Sequence, residues 1–80
     1  MRLTYDPCYN IAYIRFQEKK NNVETVRISE ELVIDMTADG TIYGIELLNA
    51  NEQMRQEDNG NLVVINEFTG KQVELALALP

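Results

Sequence analysis

The sequence predicts an α+β fold that is mainly β: an antiparallel β-meander with one short helix and a C-terminal hairpin. Three observations predict it. Short strand-like alternations recur between residues 2 and 48. The stretch "VIDMTADGTIYGIELL" (33–48) sets two apolar runs around an Asp-Gly pair, a strong local hairpin signal. After Leu48 the alternation stops in "NANEQMRQED" and resumes in "LVVIN" and "QVELALAL".

Each element follows from its residues. "RLTY" (2–5) alternates and stops at Asp6-Pro7, a turn signal. "IAYIRF" (11–16) puts Ala12, Ile14 and Phe16 on one face, and Ile11, Tyr13 and Arg15 on the other. "QEKKNN" (17–22) is a polar connection, and "VETVRI" (23–28) is a third strand. "LVIDM" (32–36) and "TIYGIELL" (41–48) are the arms of the hairpin. With Asp39-Gly40 as a two-residue tip, Met36 faces Tyr43, Ile34 faces Ile45 and Leu32 faces Leu47. A slip of one residue would invert the faces, so apolar matching and turn chemistry select one register. That register makes one sheet face an apolar core. It puts Asp35, across from Gly44, on the other face with Glu46.

A capping box at Asn49 and Glu52 predicts a short helix from about residue 50 to residue 57. Ala50 and Met54 would be its buried contacts. "LVVIN" (62–66) and "QVELALAL" (72–79) then form a hairpin around "EFTGK", with a two- or three-residue loop. The domain organisation is one small domain, 1–80. It comprises a sheet segment 1–50, a helix 51–58 and a hairpin 62–79.

Composition excludes several chemistries. Histidine is absent, which removes the commonest general base and the usual Ser-His and Cys-His nucleophile pairs. One cysteine, Cys8, makes neither a disulfide nor a Cys-rich metal site. Its neighbours supply no positive charge, so a small, partly buried cysteine is expected. The four glycines are isolated and form no phosphate loop. No cofactor and no metal are expected. A net charge of −6 repels nucleic-acid phosphates, and the seven bases are scattered. No apolar run is long enough for a membrane span, and "MRLTYDP" lacks the apolar segment of a signal peptide. The expectation is a reduced, cytoplasmic, acidic protein, with neither nucleic acid nor membrane as partner.

The residues "LTYDP", "NIAYIRF" and "VIDMTADGTIYGIELLNA" together resemble the bacterial family termed domain of unknown function 2283. The likeness covers residues 3 to about 50, through Tyr5, Asp6, Tyr13, Ile14, Asp35, Gly40, Gly44, Ile45 and Glu46. Asn10 departs from the pattern, which has an acid there. The resemblance implies a small, sheet-rich cytoplasmic protein without an established activity. For some members it also implies pairing with a toxin-like neighbour.

Two functional classes follow. The first is a non-catalytic interaction protein, a homodimer or the acidic partner of a basic protein, antitoxin-like. The second is a small carboxylate enzyme or cation-binding protein using Asp6, Asp35 and Glu46. The first is favoured. Asp6 before Pro7 fits a turn cap, Asp35 and Glu46 fit outward residues near Arg15, and Lys19-Lys20 fits a turn charge pair. Tyrosines on strands ordinarily pack across strands rather than stack on bases. Gly44 inside a strand signals a bulge or the close approach of a side chain such as Tyr13. Leaving large apolar side chains such as Ile42 and Leu48 in water would forgo roughly 1.5–3 kcal/mol each, so a homodimer is expected.

Overall fold

The computed structural model describes residues 1–80. Contacts fall into two compact units, Met1–Ala50 and Asn51–Pro80. No helix is long and apolar enough to cross a membrane.

The first unit is a five-stranded antiparallel sheet. Its strands are β1 (Arg2–Asp6), β2 (Ile11–Arg15), β3 (Glu24–Ser29), β4 (Leu32–Met36) and β5 (Ile42–Leu48). The fold is mainly β, as the alternation requires. The spatial order is β1-β2-β5-β4-β3. Two sequential pieces, β1–β2 and β3–β4–β5, are therefore joined where β5 pairs with β2. Strict sequence order fails at β2–β3, and the apolar pattern explains why. Ile14 meets Ile45 and Ala12 meets Leu47 across β2–β5, whereas β3 offers few partners of that kind. Residues 16–23 must then cross from an inner strand to the far edge. The N–H groups of Phe16 and Gln17 both donate to the Tyr43 carbonyl as the segment leaves β2.

The central hairpin keeps its expected register away from the tip, with Leu32 against Leu47 and Ile34 against Ile45. The tip differs. Only Gly40 has positive φ, at 92°, and the Gly40 N–H donates to the Thr37 carbonyl at 3.0 Å. Thr37 and Thr41 close a three-residue loop, a type I turn followed by a left-handed glycine, in place of a two-residue turn. The extra residue is absorbed by a bulge between Asp35 and Met36, so Met36 faces Ile42 instead of Tyr43. Asp39 favours this loop. Its carboxylate accepts from the Thr41 N–H at 3.1 Å and from the Thr37 hydroxyl, and these bonds hold its carboxyl below the ordinary carboxylate range.

Alternation along the paired strands sorts the side chains. Leu3, Ile14, Ile34, Ile45 and Leu47 share one face. Arg2, Thr4, Tyr13, Arg15, Gly44, Glu46, Val33, Asp35 and Thr25 share the other. The apolar face is not the closed core the sequence predicts. Ala12 and Tyr43 on it are buried, but Ile14, Ile34, Ile45 and Leu47 stay partly exposed, while Val33 and Asp35 on the polar face are 6% and 5% exposed. No large side chain is fully buried. The strong contacts of this unit run between neighbouring strands. A one-layer sheet has no second layer of its own to cover the stripe.

The second unit departs further from expectation. Helix α1 spans only Ala50–Met54. The predicted capping box is not formed: Asn49 has φ 52°, outside the extended range of an N-cap, and its side-chain oxygen accepts from the Asn10 amide. Asp58–Gly60 form a separate 3₁₀ turn, with Asp58 and Asn59 at positive φ. The C-terminal hairpin pairs β6 (Asn61–Ile65) with β7 (Gln72–Ala76). Its loop has four residues, not two or three. Asn66 and Lys71 close it, Gly70 takes φ 74°, and the Asn66 side chain accepts from the N–H groups of Phe68 and Thr69. The last strand stops at Ala76, because Ala78 has φ 51° and cannot continue it.

Candidate functional site

The residues singled out by the sequence fall into three places. Tyr5 and Asp6 lie at the β1–β2 turn, Gly40 at the hairpin tip, and Tyr13, Asp35, Gly44 and Glu46 at the centre of the polar face.

At the first place, Asp6 caps the turn by accepting from the Cys8 N–H at 2.9 Å. Cys8 itself is exposed, contrary to the expected partial burial, because the turn holds it outside the sheet. Asn10 has φ 56°, a conformation asparagine tolerates, and accepts from the Tyr5 hydroxyl at 3.1 Å. These groups stabilise a turn.

The central group is different. Asp35 is not an ordinary outward residue. Its carboxylate accepts from the Tyr13 hydroxyl at 2.6 Å and the Thr25 hydroxyl at 2.8 Å, and pairs with the Lys19 ammonium at 2.8 Å. Lys19, not Arg15, is therefore its cation. The ammonium also lies 5.6 Å from the centre of the Tyr13 ring. Gly44 makes the arrangement possible. Tyr13 lies on β2, with β5 between it and Asp35 on β4, so its ring must cross β5. Gly44 supplies the gap. A Cβ there would overlap the Tyr13 hydroxyl, and the ring Cε1 would be only 2.8 Å away. The sequence signal for a bulge or a close approach at Gly44 is thus answered by both. Glu46, across from Tyr13 and Val33, borders the same concavity without joining the bonds to Asp35.

Charge sharpens what this clasp can do. Burial alone would raise the Asp35 pKa, but the hydrogen bonds from Lys19, Tyr13 and Thr25 outweigh it, and the carboxyl lies below its ordinary value. Tyr13 is pushed up to about 12, first by burial, then by its hydrogen bond to Asp35 and the negative charge of Asp35 and Glu46. An acid–base catalyst must change protonation near working pH. Here Asp35 stays ionised and Tyr13 stays protonated. Asp35 already has three donors, one of them the Lys19 ammonium. Asp6, Asp35 and Glu46 do not converge, and no cluster of three such ligands exists.

The sequence left out Thr25 and Lys19. Thr25 follows from the β3–β4 pairing, which sets it directly across from Asp35. Lys19 carries no local signal, since it comes from the connection that crosses the sheet.

The clasp predicts an alkaline signature. Tyr13 has a folded pKa above its unfolded value of about 10. Its contribution to stability is therefore fully present below pH 10 and is lost as pH rises towards 12. Ultraviolet titration of the native protein should show one tyrosine ionising near pH 12, and Asp35→Asn should bring it down. If that variant leaves the titration unchanged, Asp35 does not hold Tyr13.

No curated protein and no solved structure matches the chain. Residues 2–51 match the family described as protein of unknown function (DUF2283), a description that names no activity. The match takes in all of β1–β5 and every residue of the Tyr13–Asp35–Gly44 clasp, and the chain belongs to that family.

Proposed function

We propose that this chain is a non-catalytic protein acting through protein–protein contact, and that a second copy of itself covers the sheet. One observation carries this reading: Leu3, Ile14, Ile34, Ile45 and Leu47 on the apolar face each keep part of their surface in water, and only Ala12 and Tyr43 on that face are buried. Burying such a side chain completely is worth roughly 1.5–3 kcal/mol, so removing what each still exposes adds a fraction of that, and the stripe together favours a cover. The C-terminal hairpin supports the same reading. Val64, Val73 and Leu75 are 52–58% exposed, and a two-stranded hairpin is marginal without further packing. The central carboxylate, held by three donors, supports a structural role over a reactive one.

Beyond self-association, the acidic surface suits a basic protein partner in a cytoplasmic, antitoxin-like pair. Light scattering on the eluting protein tests the first step. Twice the chain mass of 9.2 kDa is expected at micromolar concentration, with dissociation on dilution. A single-chain mass at that concentration overturns the reading.

A further inference from the structure

We infer that the polar face carries a binding site for a small dianionic oxyanion of the phosphate type, built on Arg2 and Arg15 and completed by Thr4. Arg2 and Arg15 stand directly opposite each other across β1–β2, and Thr4 stands opposite Tyr13 in the next same-face row. Together with Lys19 these residues line a concavity of about 400 Å³.

Like charges directly opposite in a sheet destabilise it. The chain has 13 acids against 7 bases, yet neither guanidinium forms an ion pair. Of the acids on the same face, Asp35 is taken by Lys19 and lies with Glu46 in a neighbouring concavity, and Asp6 caps the β1–β2 turn through the Cys8 N–H. The Tyr13 ring and Lys19 thus divide the face into an acid-bearing half and a half lined by cations and a hydroxyl. Two guanidinium forks, each able to bind an oxyanion through paired N–H groups, and a hydroxyl suit an oxyanion of two negative charges in donor number and sign. A polyanion is disfavoured, because a chain of net charge −6 repels a long phosphate backbone. This site is independent of the apolar face, so self-association and anion binding stand or fall separately.

Amide NMR and thermal melts at low ionic strength, with inorganic phosphate and glycerol phosphate as probes, test it. Saturable shifts are expected at Arg2, Thr4 and Arg15, with a rise in melting temperature. A monoester binding more tightly than free phosphate would show that the concavity also holds the organic group; equal binding would assign the site to the phosphate alone. Arg15→Gln, which loses one charged hydrogen-bond donor, should weaken binding about tenfold or more. Arg15→Gln should leave the ligand-free fold no less stable, since it removes a like-charge pair. Lys71→Gln, in the C-terminal hairpin, should change nothing. The proposal is overturned if phosphate at about 10 mM gives no saturable shifts, or if the doubly substituted Arg2→Gln, Arg15→Gln protein binds like the parent.

Discussion

Gly44→Val is expected to lower the melting temperature by about 10–20 °C. Overpacking a filled site costs about 1–3 kcal/mol, and each kcal/mol moves the midpoint by about 4–8 °C in a domain of this size. The upper part of that range applies here. The new side chain would overlap the Tyr13 ring itself, which is flanked by β5 and tied to Asp35. The ring cannot retreat without breaking its bond to Asp35. Removing the ring should therefore relieve much of the damage. In a double-mutant cycle, Tyr13→Ala and Gly44→Ala should be clearly non-additive, with the double variant more stable than the sum of the single losses. Additive losses would mean that the glycine serves the strand and not the tyrosine. Gly40 offers a contrast: nothing lies within 4 Å of a Cβ there, and only its φ of 92° is at stake.

Asp35→Ala is expected to cost about 2–3 kcal/mol, because it strands the donors that converge on the carboxylate. Most of that cost belongs to Tyr13. Lys19 is 56% exposed and returns to water easily. Chemical denaturation at pH 7 measures the loss, and a change below about 0.5 kcal/mol would remove the clasp from the stability of the fold. The pH dependence carries a matching sign. The folded pKa of Asp35 lies below its unfolded value of 3.8. Its stabilisation is therefore present above that value and is lost as pH falls through the lower folded one. Parent and Asp35→Asn should thus differ in stability at neutral pH and converge in acid. Asp39 shifts in the same direction at the hairpin tip, so only the difference between the two proteins isolates Asp35.

Particular residues show how far the sequence reaches. The pairs Leu32–Leu47 and Ile34–Ile45 were legible, since strand alternation and a turn-forming Asp-Gly constrain register over short distances. The helix was legible only in part. Its Asn-Glu signature exists, but Asn49 takes a left-handed conformation and binds Asn10 instead of capping. The four-residue loop at Asn66 was missed for a similar reason. A side chain that accepts two backbone N–H groups changes the loop length, while Asn-x-x-x-Gly has no single loop meaning.

The sequence by itself determined the order of strands along the chain, the central hairpin register away from its tip, the turn role of Asp6 and the need for space at Gly44. All depend on neighbours within a few residues or on the period-two geometry of a strand. Only the tertiary structure decided that β5 lies beside β2, that Lys19 crosses the sheet to reach Asp35, and that Arg2 and Arg15 stand on the same face without an ion pair. Those outcomes depend on contacts between residues distant in the chain, where many pairings satisfy the same local pattern and the burial of the whole sheet selects among them.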